Sequence, residues 1–238
     1  MQNNNKVALI TGGNSGIGFG IAEALLKEGY KVAITSRSEK RAQEAVEKLK
    51  TNDAGEIIGL EVDVRSFEDQ EAAVKKVLEQ WGRLDVFVAN AGVGHFSPIQ
   101  DLSIEQWHET IDTNLTGPFY SIKASLEALK SSQGYYITIS SLAGTNFFEG
   151  ASAYNASKFG LTGFTQAAML DLRNEGIRVT TIMPGSVATA FNNHEVNDKD
   201  AWKIQKEDIG ELVVDILKMN PRSLPSKIEI RPSQPPKK

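Results

Sequence analysis

Short runs of strand-forming residues alternate along this chain with longer stretches whose apolar positions return every three or four residues. The runs fall at Lys6 to Thr11, Lys31 to Ser36, Ile57 to Val62, Val86 to Ala89, Tyr135 to Ile139 and Arg178 to Met183. Helical periodicity predicts helices over Gly16 to Glu28, Ser38 to Leu49, Phe67 to Trp81, Ser103 to Lys130 with a break near Gly117-Pro118, Tyr154 to Glu175, and Glu207 to Met219. Strand and helix in strict alternation predict a parallel sheet covered on both faces, a doubly wound α/β fold of about seven strands. Lys227 to Ile230 is expected to close the sheet edge. Thr189 to Lys206 is polar, weakly periodic and follows the last long strand, so it is expected to act as a mobile lid. Arg231 to Lys238 is a Pro-rich basic tail that adds nothing to the core, and no internal repeat is visible.

Composition narrows the function classes. The 238 residues, 40% of them hydrophobic, suit one catalytic domain over 1–238 with a single sizeable core. Twenty-six basic and thirty acidic residues give a formal charge of -4 without a dense Lys/Arg cluster, so no nucleic-acid partner is expected. Met1-Gln2-Asn3-Asn4-Asn5 lacks a basic region followed by an apolar one, and no apolar run reaches the ~20 residues that span a bilayer. The chain therefore reads as soluble, unexported and cytoplasmic, with no membrane partner. Zero cysteines exclude disulfides and thiolate chemistry, and His95, His108 and His194 have no metal-ligand spacing, so no metal is expected. Any redox chemistry belongs to a bound cofactor.

The first candidate site is Thr11-Gly12-Gly13-Asn14-Ser15-Gly16-Ile17-Gly18, between the first strand and the first helix. Glycines there let backbone N–H groups approach a pyrophosphate, and the helix start supplies partial positive charge, as in a Rossmann-type fold. The spacing is Gly12-x-x-x-Gly16-x-Gly18 rather than G-x-G-x-x-G, and a tight strand-to-helix turn would also account for the glycines. At the end of the second strand no acid stands ready for a ribose 2′-hydroxyl; Arg37 offers a guanidinium to a 2′-phosphate instead, which favours NADPH over NADH. The alternative for Arg37 is a solvated helix-start residue paired with Glu39. Tyr154 and Lys158, four residues apart, would share one helix face, bringing an ammonium toward a phenol whose ordinary pKa is near 10 and favouring the phenolate. A half-buried aromatic beside a snorkelling lysine is the plainer account of that pair.

From Lys6 to about Thr189 these features together resemble the short-chain dehydrogenase/reductase family. The glycine pattern matches over Thr11 to Gly18; the family's adenine-contacting acid matches Asp63, followed by Val64; its Asn-Ala-Gly matches Asn90-Ala91-Gly92; and its helix asparagine matches Asn114. Its Pro-Gly turn matches Pro184-Gly185, with Val187 and Thr189 where the nicotinamide carboxamide is usually met. Ser141 stands at the family's usual spacing before Tyr154 and is the catalytic candidate, Ser140 the structural one. The resemblance implies hydride transfer between nicotinamide and a carbonyl or alcohol carbon. Ser141 would hold the substrate oxygen, Tyr154 exchange the proton, Lys158 bind the ribose and favour the phenolate, and Asn114 fix a water. His95, Phe147 and Phe191, with Phe148 and Trp202, are candidates for the substrate pocket or ordinary packing residues.

The expected activity is that of a general NADPH-dependent carbonyl reductase on a small or medium apolar compound. A 3-oxoacyl-carrier-protein reductase is the alternative, weakened because Ser132 and Glu175 stand where such enzymes commonly carry arginines and because the last strand lacks glycines. An NADP-sensing regulator is disfavoured by the complete set Asn114, Ser141, Tyr154 and Lys158. The resemblance also implies a homodimer or homotetramer built through Ser103 to Lys130 and Tyr154 to Glu175, where Ala156, Gly160, Gly163, Ala167 and Ala168 permit close helix approach.

Overall fold

The central apolar runs become strands covered on both faces, whereas the edge strands are only half-buried. In the computed structural model, which describes residues 5–50 and 55–234, the strands are β1 (Val7–Ile10), β2 (Lys31–Ser36), β3 (Ile57–Glu61), β4 (Val86–Ala89), β5 (Tyr135–Ile139), β6 (Arg178–Pro184) and β7 (Lys227–Ile230). The first four residues of the N-terminal stretch and residues 235–238 of the tail lie outside the described residues. Every residue of β1, β4 and β5 is buried. The order is β3-β2-β1-β4-β5-β6-β7 and every pairing is parallel, including that of the short edge strand β7. Because the chain crosses from β3 over to β4, a crevice opens beyond the carboxyl ends of β1 and β4.

The helices are α1 (Gly16–Lys27), α2 (Glu39–Leu49), α3 (Phe67–Trp81), α4 (Ile104–Ile111), α5 (Gly117–Ser132), α6 (Ser152–Leu172) and α7 (Lys206–Lys218). Side chains alternate across a strand, so β1 sends Ala8 and Ile10 to one layer and Val7 and Leu9 to the other. The first layer adds Ile21 and Leu25 of α1, Val46 of α2 and Val213 of α7; the second adds Val77 of α3 and Leu129 of α5. Each such side chain contributes about 1.5–3 kcal/mol when fully buried. Local chemistry sets where helices begin: Ser38 and Ser66 accept from Arg41 N and Asp69 N, and Ser103 forms a capping box with Gln106.

The long helix expected from Ser103 to Lys130 is two helices joined by a π-helical turn, Asp112–Thr116. The break therefore lies upstream of Gly117-Pro118. Pro118 sits in the first turn of α5, immediately after the π turn, where its missing N–H cannot bond back to the preceding turn. The helix over Tyr154 begins two residues earlier than expected, at Ser152, and ends in a tight turn, Arg173–Glu175. Among the described residues no helix is long and apolar enough to cross a membrane.

Helices α1 and α7 cross at two glycines. A Cβ on Gly20 would stand 2.3 Å from Lys206 O, and one on Gly210 would stand 2.5 Å from Gly20 O. Alanine at position 210 would gain about 1 kcal/mol of helix propensity, but it would meet backbone that cannot turn aside. Gly210→Ala is expected to lower the unfolding free energy by about 1–3 kcal/mol net. Urea unfolding followed by far-UV circular dichroism checks this, and an unchanged midpoint would mean the helices stand farther apart.

Candidate active site

The loop that leaves β1 is tied to the end of β4 by two side chains. Asn90 Nδ2 donates to Thr11 O at 2.9 Å and Gly12 O at 3.2 Å, while Thr11 Oγ1 accepts from Asn90 N at 3.0 Å and Ala91 N at 3.1 Å. Gly12 and Gly16 take φ of 64° and 55°, and a Cβ on Gly18 would lie 2.5 Å from Asn90 Nδ2. The glycine loop and Asn90-Ala91-Gly92, far apart in sequence, are thus one structural unit. Ser15 caps α1 without a side-chain bond, and no acid stands in the first turn, so the leading N–H groups of α1 carry their partial positive charge without a side-chain partner. This donor set fits a dinucleotide pyrophosphate. Thr189 lies against the loop, 3.4 Å from where a Gly16 Cβ would be; Val187 bridges to Ile204, and Gly185 N donates to Ile230 O at 2.8 Å.

At the end of β2, Arg37 reaches across to α4, with Nη1 3.3 Å from Glu109 Oε1. Glu39, the partner expected on the plainer reading, is not the one it takes. The second oxygen of Glu109 lies 2.8 Å from His95 Nε2. His95 above all holds the Glu109 carboxyl below the usual carboxylate range, against an opposing effect of burial and with a smaller contribution from Arg37. Asp63 is gripped by the Arg65 guanidinium, which holds its carboxyl low as well. Val64 is buried, and its carbonyl accepts from Gln70 Nε2 at 2.6 Å.

Tyr154 and Lys158 do share one face of α6, but their electrostatics differ from the expectation. Lys158 Nζ donates to Ile139 O at 3.0 Å and stands 5.7 Å from the centroid of the Tyr154 ring. Burial depresses the ammonium to about 8. Burial also raises the Tyr154 phenol above its ordinary value, only partly offset by a hydrogen bond with Ser141. Desolvation therefore outweighs the Ser141 hydrogen bond, and in this state burial favours the protonated phenol over the phenolate. Ser141 opens a tight turn, Leu142–Gly144, and accepts from Ala143 N at 3.1 Å. Ser140 is turned inward to Thr162 Oγ1 at 3.0 Å.

Asn114 projects from the π-helical turn. Its Oδ1 accepts from Val93 N at 2.9 Å, and its Nδ2 donates to Val93 O at 2.8 Å and Ser157 Oγ at 3.0 Å. A Cβ on Gly92 would lie 3.3 Å from Asn114 Oδ1 and 3.8 Å from Lys158 Nζ, so glycine keeps the space between those two groups clear. Asn155, which sequence reasoning missed, donates to Ala143 O at 2.7 Å and Asn146 O at 2.8 Å and so holds the loop that carries Ser141.

Rings gather at the phenol. Phe96 meets Tyr154 edge-on at 5.2 Å, Phe191 lies 6.0 Å from Tyr154, and Phe148 lies 6.0 Å from Phe96. Phe147, expected at the pocket, is 84% exposed and is not among these rings; Phe96 and Phe148 are. The nearest sequence signal for Phe96 is its place four residues past Gly92. The segment expected as a lid carries Phe191 and is organised around buried Asp200, which takes His194 Nε2 at 2.7 Å, Lys203 Nζ at 2.6 Å and Asn197 N at 3.1 Å.

Comparison with known proteins gives concordant matches. A family model described as short chain dehydrogenase matches residues 6–200. An uncharacterised oxidoreductase of Staphylococcus saprophyticus is 34% identical over 232 residues, 95% of this chain and 97% of that protein. A putative ketoacyl reductase of Streptomyces coelicolor is 38% identical over 208 residues, 85% of this chain and 79% of that protein. The crystal structure of an alcohol dehydrogenase from the archaeon Thermococcus sibiricus, complexed with 5-hydroxy-NADP, superimposes with a TM-score of 0.90 at 31% identity, covering 98% of this chain and 99% of that one.

Burial of the Lys158 ammonium implies a cost in stability that depends on pH. Below about pH 8 Lys158 is charged in both folded and unfolded chains, and only the folded chain bears the desolvation penalty. From about 8 up to the ordinary 10.5 the folded chain is neutral while the unfolded chain still binds the proton, so the penalty fades as pH rises. Lys158→Met is therefore expected to stabilise the nucleotide-free protein near pH 7 by up to roughly 3 kcal/mol, with the gain lost by about pH 10.5. Urea unfolding of parent and variant across that range checks it; a pH-independent difference would contradict the burial of the charge.

Proposed function

The chain belongs to the short-chain dehydrogenase family, a class of NAD(P)-dependent oxidoreductases, and from that premise we propose that it reduces small or medium apolar ketones and aldehydes with NADPH, or oxidises the corresponding alcohols. The observation that carries the proposal is the gathering of Ser141, Tyr154 and Lys158 at the crevice, with Phe96 and Phe191 against the phenol and Phe148 packed on Phe96. The crevice fits a dinucleotide through the glycine loop and the N-terminus of α1. Arg37 in place of an acid favours the 2′-phosphate form, as does the NADP analogue in the Thermococcus sibiricus structure.

A nicotinamide bound there supplies the hydride. Ser141 Oγ accepts from Ala143 N, so its O–H, directed to Tyr154 in the free protein, would turn to hold the substrate oxygen. Tyr154, kept protonated by burial, delivers a proton to that oxygen in reduction and takes it back in oxidation. Lys158 commits one N–H to Ile139 O and keeps two for ribose hydroxyls. Asn114 fixes the loop at Val93 and borders the gap beside Gly92, where a water would connect Lys158 to the outside. Asp63 and Val64 would border the adenine, and Val187 and Thr189 the carboxamide.

The wall of three rings favours an apolar substrate, and His95 and Glu109 nearby are occupied with each other. The Streptomyces coelicolor relative's name supports carbonyl reduction. For a carrier-protein substrate, however, neither docking position offers a guanidinium: Ser132 Oγ donates inward to Leu84 O at 2.6 Å, and Glu175 pairs with Lys130 at 2.7 Å. Assembly into a homo-oligomer is part of the same reading. Of the five small residues, Gly160 packs on Leu115 and Ala168 is buried, while Ala156, Gly163 and Ala167 form an outward stripe with Phe159 and Leu170. Light scattering tests this; a mass of 26.0 kDa, that of one chain, would reject it.

Tyr154→Phe is expected to cut carbonyl-dependent NADPH oxidation by about 10²- to 10⁴-fold while NADPH affinity, followed by fluorescence, stays within about threefold. Turnover within tenfold of the parent would remove Tyr154 from the proton step. Phe96→Ala is expected to raise KM by about tenfold for cyclic and aryl ketones and far less for two- or three-carbon carbonyls. Equal changes for both groups would mean that the ring does not contact substrate.

A further inference from the structure

A chain of charges spans the mouth of the crevice, and neither the fold nor the proton chemistry requires it. Arg37 leaves the end of β2, whereas Glu109 belongs to α4, which follows β4. In the sheet β1 lies between those two strands, so their ion pair passes over the end of β1, where the glycine loop begins. The Glu109 carboxylate is divided: Oε1 is 3.3 Å from Arg37 Nη1, and Oε2 is 2.8 Å from His95 Nε2. His95 thus pins the carboxylate within reach of the guanidinium. With side chains 57% and 31% exposed and a single long contact, the Arg37–Glu109 pair is weak and open to exchange.

A phosphate dianion would offer Arg37 two shorter, charge-assisted contacts and would win the exchange. It would then stand close to the carboxylate it had displaced. Asp63 also lies near enough to Arg37 to feel its charge, but its carboxylate is already gripped by Arg65. We infer that Glu109 competes with the 2′-phosphate for Arg37 and thereby sets how strongly this protein prefers the phosphorylated dinucleotide. The inference rests on the reading that Arg37 receives the 2′-phosphate. A dinucleotide without that phosphate leaves the ion pair intact and is indifferent to Glu109.

Equilibrium binding of NADP⁺ and NAD⁺ by calorimetry to the parent, Glu109→Gln, Arg37→Gln and the double variant tests it. The glutamine keeps the shape and a hydrogen bond to His95 while removing the charge. Glu109→Gln is expected to tighten NADP⁺ by about 3- to 10-fold and to leave NAD⁺ within about twofold, with the gain shrinking as salt is added. In the Arg37→Gln background the second substitution is expected to lose most of its effect. If Arg37→Gln weakens NADP⁺ selectively but Glu109→Gln leaves NADP⁺ affinity unchanged or lowers it, the competition is overturned while the reading of Arg37 stands. If Arg37→Gln weakens both dinucleotides equally, the reading of Arg37 itself fails, and the inference with it.

Discussion

Backbone N–H and C=O groups at a sheet's end need partners once they are taken from water, and at the carboxyl edge of this sheet three asparagine side chains provide them. Asn90 serves the carbonyls of Thr11 and Gly12, Asn114 both backbone groups of Val93, and Asn155 the carbonyls of Ala143 and Asn146. An amide side chain both donates and accepts without carrying charge, so none of the three adds a buried ion to a cofactor crevice. A buried polar group left without a partner costs about 1–3 kcal/mol, enough to make these loop conformations obligatory. Loops held in this way present Ser141, Gly92 and the start of α1 as fixed geometry rather than as flexible connections.

Against that rigid frame the two titratable groups of the site are displaced in opposite senses by one cause. Burial favours the neutral form of each, raising the phenol of Tyr154 and lowering the ammonium of Lys158. Proton donors with the phenol's ordinary affinity are poor acids at neutral pH, and the Ser141 hydrogen bond is the one contact that works the other way. Substrate oxygen and ribose hydroxyls would add polar partners where the free protein has rings, so the chemistry of the site depends on what fills it.

How much of this was legible in the sequence follows the range of the interactions concerned. Strand positions were legible because a run buried on both faces leaves a local mark, and the bounds of β2, β4, β5 and β7 fall where the pattern put them. Helix starts at Ser38, Ser66 and Ser103 could be read from capping chemistry that spans only three residues. The break was legible because Gly117-Pro118 reads locally as a breaker, but its π-helical form just upstream, from which Asn114 reaches Val93 and Ser157, was not. The partner of Arg37 lies 72 positions away and shares no motif with it. Phe147 and Phe148 are indistinguishable as residue types; only the turn held by Asn155, which accepts from Phe148 N at 3.3 Å, decides which ring packs on Phe96. The sign of the Tyr154 shift was missed because sequence shows a neighbouring charge but not how far both groups are removed from water.

The glycine contact between α1 and α7 also bears on the order in which the molecule can be completed. Helix α1 is made almost first, yet the helix that lies across it emerges only after all of β2 through β6. At the usual elongation rate of about 5–20 residues per second, that interval lasts on the order of 10 s. Throughout it, part of the apolar layer that holds Ile21 and Leu25 waits for Ile209 and Val213. The growing chain therefore carries an unfinished surface for most of its synthesis, and a premature stop before α7 would leave a product whose exposed layer invites association with other incomplete chains rather than folding.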